Sequence, residues 1–184
     1  MTELMPRIQS LHQALSDILL QSMTTAIPSS QQAKILSSDI CLKDRLSATN
    51  DAASHLVVLT VSAYRFQCLM CMVMVQDCPE QSNNEDQLKE LANNLCGTFK
   101  RYLGKFVSVL GLSTPNLLPL DCLQYLQHSL VTPLQSSVYC RDPQGNSVYV
   151  ALLIPENIAA SDLNIPEKFT KHDLENNVGE LELF

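Results

Sequence analysis

The sequence predicts an α+β domain in which two long helices cover one side of a largely antiparallel sheet. Three observations carry that expectation. Leu4 to Met23 and Asn83 to Leu103 each repeat apolar residues at steps of three and four, the signature of amphipathic helices. Short stretches rich in Val, Leu, Met and Cys, bounded by turn residues, read as strands. Ser136 to Arg141 and Ser147 to Ile154 flank Asp142-Pro143-Gln144-Gly145-Asn146, whose proline presets a turn and whose glycine closes it, so these two form an antiparallel hairpin.

Taken in order, the first helix places Leu4, Ile8, Leu11, Leu15, Ile18, Leu19 and Met23 on one face, accepts Pro6 in its first turn and stops at Pro28 and Ser29-Ser30. A strand is expected around Ile35 to Leu42, then a polar loop at Ala48 to Ser54. His55 to Val75 reads as two adjacent strands with Ser62, Tyr64 and Arg65 at the turn, ended by Asp77-Cys78-Pro79. Ser82-Asn83-Asn84-Glu85 has the spacing of a capping box, in which each side chain satisfies the other's free backbone amide, and it opens the second helix. Lys100 and Arg101 sit near that helix's end, where positive charge complements the dipole. Val107 to Leu112 is expected as a short strand before the Ser113-Thr114-Pro115 break, and periodicity does not resolve Leu117 to Leu130. Two helices and about six strands result.

Composition bounds the function. The 184 residues are 46% hydrophobic and 17% charged, with five Gly and nine Pro, so a sizeable core forms and a disordered or fibrous chain is excluded. Twelve basic against nineteen acidic side chains give a net charge of −7, which leaves no basic footprint for nucleic acid. Seven of those acids, but only Lys168 and Lys171, fall in 156–184. The expected organisation is therefore one domain over 1–155 and an acidic C-terminal extension over 156–184. The longest apolar run, Cys68 to Val75, is far shorter than the ~20 residues of a membrane helix, and no charged n-region precedes an apolar stretch, so no membrane association and a cytoplasmic location are expected. Seven cysteines, an odd number scattered through apolar contexts, read as free thiols. Cys68 and Cys71 have CxxC spacing, but on a strand they diverge, and no second pair completes a metal site. The histidines His12, His55, His128 and His172 are far apart, and no nucleophile elbow or phosphate loop occurs.

The informative surface is on the second helix. At 100° per residue, Leu88, Leu91, Ala92, Leu95, Phe99, Tyr102 and Leu103 share one arc, and Asp86, Glu90, Asn93, Gly97, Arg101 and Gly104 fall on the opposite side. Glu90 and Asn93 are three apart and hence neighbours, with Gly97 one turn beyond. A mid-helix glycine costs about 1 kcal/mol relative to alanine. On an exposed face a close approach by a partner accounts for it, so a carboxylate and a carboxamide beside a bare patch make a docking site. A solvated helix face bearing ordinary polar residues is the bland alternative.

At these residues the sequence resembles the CheC/CheX/FliY chemotaxis phosphatases. That family's signature is Asp or Ser, three residues, Glu, two residues, Asn, and a proline some twenty-two residues on. Here it reads Asp86-Gln-Leu-Lys-Glu90-Leu-Ala-Asn93, with Pro115 after twenty-one intervening residues, and Gly97 four positions after Asn93. The order of elements agrees, and only one signature is present, which looks like CheX rather than the two-site CheC. Ser62-Ala63-Tyr64-Arg65 stands where the family commonly has a glycine-rich turn. The resemblance implies hydrolysis of the aspartyl phosphate of a CheY-like response regulator in two-component signalling. Asn93 would orient the attacking water, Glu90 would dock on the regulator, and Asp86, Gly97 and Arg101 would join the contact. It also implies a homodimer, no cofactor or metal ligand in this chain, and Mg²⁺ on the partner regulator. A non-catalytic adaptor that binds a receiver domain is the alternative.

Overall fold

A computed structural model of the chain describes residues 4–27, 31–36, 55–63, 66–75, 85–107, 110–122, 125–126, 134–141 and 147–154. The elements are α1 (Leu4–Ala26), β1 (Gln31–Leu36), β2 (His55–Ala63), β3 (Phe66–Val75), α2 (Glu85–Leu103), β4 (Gly111–Leu112), β5 (Asn116–Pro119), β6 (Leu134–Arg141) and β7 (Ser147–Ile154). All seven strands join one sheet in the order β1-β6-β7-β3-β2-β4, with β5 also on β2, and every pairing is antiparallel. The predicted α+β architecture of two long helices and an antiparallel sheet is the one observed.

Both expected hairpins form. Ala63 pairs with Phe66 and Val57 with Met72 in the first; Arg141 pairs with Ser147 and Leu134 with Ile154 in the second. β7 is buried at all eight positions, as its nearly unbroken apolar sequence requires of a strand flanked by β3 and β6. Val57, Leu59 and Val61 of β2, Val138 and Cys140 of β6, and Val148, Val150, Leu152 and Ile154 of β7 face the helices. Against them pack Leu15, Ile18, Leu19 and Met23 of α1 and Leu88, Ala92, Leu95, Phe99 and Leu103 of α2, which form one continuous core. The helices are also joined by a polar clasp. Thr25 spends its hydroxyl proton on the Gln21 carbonyl at 2.8 Å, so Tyr102 Oη is the donor in the 3.0 Å contact between the two hydroxyls.

Three expectations are corrected. The first strand begins at Gln31, ahead of the expected Ile35, and is described as Gln31–Leu36, with an irregularity between Gln31 and Lys34 in its register on β6; 37–42 lie outside the described residues. Of the expected strand Val107 to Leu112, Gly111–Leu112 is a strand and Val107 is not, because the chain leaves α2 through tight turns in which the amides of Phe106 and Val107 both donate to the Leu103 carbonyl; 108 and 109 lie outside the described residues. The described residues alone hold seven strands, because Asn116–Pro119, which overlaps the start of the stretch that periodicity left open, pairs with β2. β4 and β5 behave as one interrupted edge strand. Five residues from Leu112 to Asn116 stand against four from Val61 to Val58, a bulge in which Ser113 Oγ accepts the Thr60 amide at 2.9 Å. Pro115, which cannot donate to a ladder, sits in that interruption. The capping box at Ser82, the Pro28 stop, both hairpin turns, His128, His172 and the acidic extension over 156–184 lie outside the described residues.

Candidate functional site

Helix α2 is positioned by its apolar arc. Leu88, Ala92, Leu95, Phe99 and Leu103 are buried, and the helix packs against α1, β2, β3 and β5. Glu85 and Asp86 occupy its first turn and Lys100 and Arg101 its last, each sign where the helix dipole favours it. With that arc turned to the core, the opposite side faces outward. Asp86, Glu90, Asn93, Arg101 and Gly104 are exposed, as the helical projection predicts, whereas Gly97, expected in solvent, is half-buried. Asp86 has an interaction of its own within the chain. Asn94 is exposed beside Asn93; motif spacing does not single it out, but the same projection places it on this face, one turn after Glu90.

The two glycines of this face differ in what they do. A Cβ on Gly104 would meet the Lys100 carbonyl oxygen at 2.9 Å, in the turn where the Gly104 amide donates to that same oxygen at 2.8 Å. Gly104 therefore serves the end of the helix. A Cβ on Gly97 would meet nothing within 4 Å among the described residues. Packing within the described chain does not require glycine at 97, although a helix interior disfavours it.

Two further side chains define the edges of the patch. Cys96, next to Gly97, is fully buried in the core cluster, and burial pushes its thiol up to about 12. It stays protonated at neutral pH and offers no nucleophile. Thr98, 4% exposed, donates its hydroxyl to the Asn94 carbonyl at 2.9 Å and accepts Nη2 of Arg101 at 3.1 Å. The buried threonine is not marked by any motif. Only the i−4 and i+3 spacing to Asn94 and Arg101 hints at it.

Among the described residues no group of three or more His, Cys, Asp or Glu could hold a metal ion, and no helix is long and apolar enough to cross a membrane. Cys68 and Cys71 both lie on β3, in register with Val61 and Val58. The patch on α2 thus offers two carboxylates, two carboxamides and a guanidinium around Gly97, which carries no side chain. Such a set can position water and hydrogen-bond a partner without supplying a covalent nucleophile.

No known protein-family pattern matches the chain, and no curated protein matches it. Solved structures similar to it include chemotaxis proteins of the CheC, CheX and FliY kinds. A CheC-like superfamily protein from Shewanella sp. PV-4 is 10% identical, with 79% of this chain and 97% of that one covered and a TM-score of 0.47. CheX in the CheX–CheY–BeF3–Mg complex from Borrelia burgdorferi is 12% identical over 78% and 97%, with a TM-score of 0.49. FliY of Thermotoga maritima is 7% identical over 80% and 87%, with a TM-score of 0.47. Likeness at this level concerns the course of the chain and carries nothing about the side chains of the site.

Proposed function

We propose that this chain is a phosphatase that hydrolyses the aspartyl phosphate of a CheY-like response regulator, using the outward face of α2. The observation that carries the reading is that Glu90 and Asn93, three residues apart in the sequence signature, are both exposed, and that half-buried Gly97 one turn on has open space where a side chain would stand. An acyl phosphate hydrolyses once water is held in line with the leaving carboxylate, so positioning and electrostatics supply most of the catalysis. The Asn93 carboxamide both accepts and donates hydrogen bonds and carries no charge to repel phosphate, which suits it to orienting water. Glu90 would be a poor neighbour for phosphate but a good partner for the regulator's phosphate-binding lysine, which fixes register across the contact. Asp86, Gly97 and Arg101 complete the docking surface. The divalent ion of the reaction, Mg²⁺, belongs to the regulator, and the chain acts as a homodimer.

The test is loss of phosphoryl label from purified receiver domains of the host, with and without stoichiometric amounts of this chain. Faster loss supports the phosphatase; binding without acceleration assigns the chain as a receiver-binding adaptor.

A further inference from the structure

We infer that Thr98 is a positioning residue that holds the Arg101 guanidinium ready for an anionic group on the surface of the docked receiver, an inference that rests on the function proposed above. Thr98 is 4% exposed as a residue, and its hydroxyl both donates and accepts a hydrogen bond. Its proton goes to the Asn94 carbonyl at 2.9 Å, the usual backward bond of a helical threonine, and its oxygen accepts Arg101 Nη2 at 3.1 Å. The guanidinium has five N–H donors in a rigid plane, so one bond to its own helix restricts the side chain and leaves donors facing outward for a partner.

The same geometry fixes which kinetic parameter Thr98 controls. Arg101 lies eight residues beyond Asn93, about 12 Å along the helix axis at 1.5 Å per residue, farther than one arginine side chain extends. It therefore meets the receiver's surface away from the phosphoryl group. An interaction made equally in the bound ground state and in the transition state changes KM and leaves kcat alone.

Dephosphorylation of a receiver charged with acetyl phosphate, followed over a range of receiver concentrations, separates the two parameters. Thr98→Val keeps the volume and removes the hydroxyl, and should raise KM about two- to tenfold, the cost of immobilising one long side chain on binding, with kcat unchanged. Thr98→Ser should restore KM. In an Arg101→Ala background Thr98→Val should add nothing, which no general packing defect would mimic. Arg101→Lys tests the link with Thr98 untouched and should raise KM to a similar extent, because an ammonium lacks the planar fork. An unchanged KM in Thr98→Val, or an equal rise in the Arg101→Ala background, overturns this inference while the phosphatase stands. A wild-type chain inert toward every receiver overturns both.

Discussion

Glu90 and Asn93 occupy equivalent surface positions, yet the chemistry proposed for them differs, and the difference is measurable. Asn93→Ala should leave affinity for a receiver charged with beryllium fluoride nearly intact, because orienting water matters in the transition state alone. Glu90→Ala should weaken that complex by about 2 to 4 kcal/mol if the carboxylate is desolvated against a lysine. Titration of fluorescently labelled receiver with each variant checks both, and equal losses of affinity would show that the roles are wrongly divided. Cys96 gives a prediction of another kind. Its thiol is raised from 9.0 to about 12, so the folded state holds this proton more tightly than the unfolded chain does. Its contribution to stability is intact below pH 9 and is lost as the pH rises from 9 toward 12. Iodoacetamide at pH 8 should therefore leave Cys96 unmodified in the native protein and modify it only in denaturant, as read by peptide mass mapping.

At the scale of elements, α2 was legible because two demands agree on it: apolar residues at steps of three and four, and dipole-matched charges at Glu85, Asp86, Lys100 and Arg101. The hairpins were legible for the same reason, with apolar runs flanking turn residues. β5 was not, since Asn116–Pro119 is four residues long, contains a proline and pairs only along β2, too short a segment for alternation to register. β1 begins with Gln31 and Gln32, polar residues that mask a strand specified by its pairing with β6. Thr98 was hidden because its contact to Arg101 needs side-chain positions that spacing alone does not supply. The contrast between the two glycines yields the test proper to this scale. Gly97→Ala should raise stability by about 1 kcal/mol, because a helix interior prefers alanine and no described atom obstructs the methyl group. Gly97→Leu should fold but no longer bind a receiver. Urea unfolding together with the receiver titration checks the pair, and a destabilised Gly97→Ala would mean that the glycine is structural.

For the whole molecule, the sheet and the two helices share one core, and the outward face of α2 is held in place by Leu88, Ala92, Leu95, Phe99 and Leu103 on the helix's other side. Changes on that face should accordingly alter binding or turnover without unfolding the domain. The proposed homodimer is checked by size-exclusion chromatography with light scattering, where a mass near twice 20.4 kDa is expected and a clean monomer at micromolar concentration would remove it. The central claim is that Asn93, aimed outward from α2, speeds hydrolysis of a receiver's aspartyl phosphate. Single-turnover dephosphorylation of a phosphorylated receiver by wild type and by Asn93→Ala tests it most directly. The wild-type chain should accelerate loss of the phosphoryl group, and the variant should lose about 2 to 4 kcal/mol of that acceleration, the scale of removing one preorganised polar group. No acceleration by stoichiometric wild-type chain, or a fully active Asn93→Ala, would contradict the account.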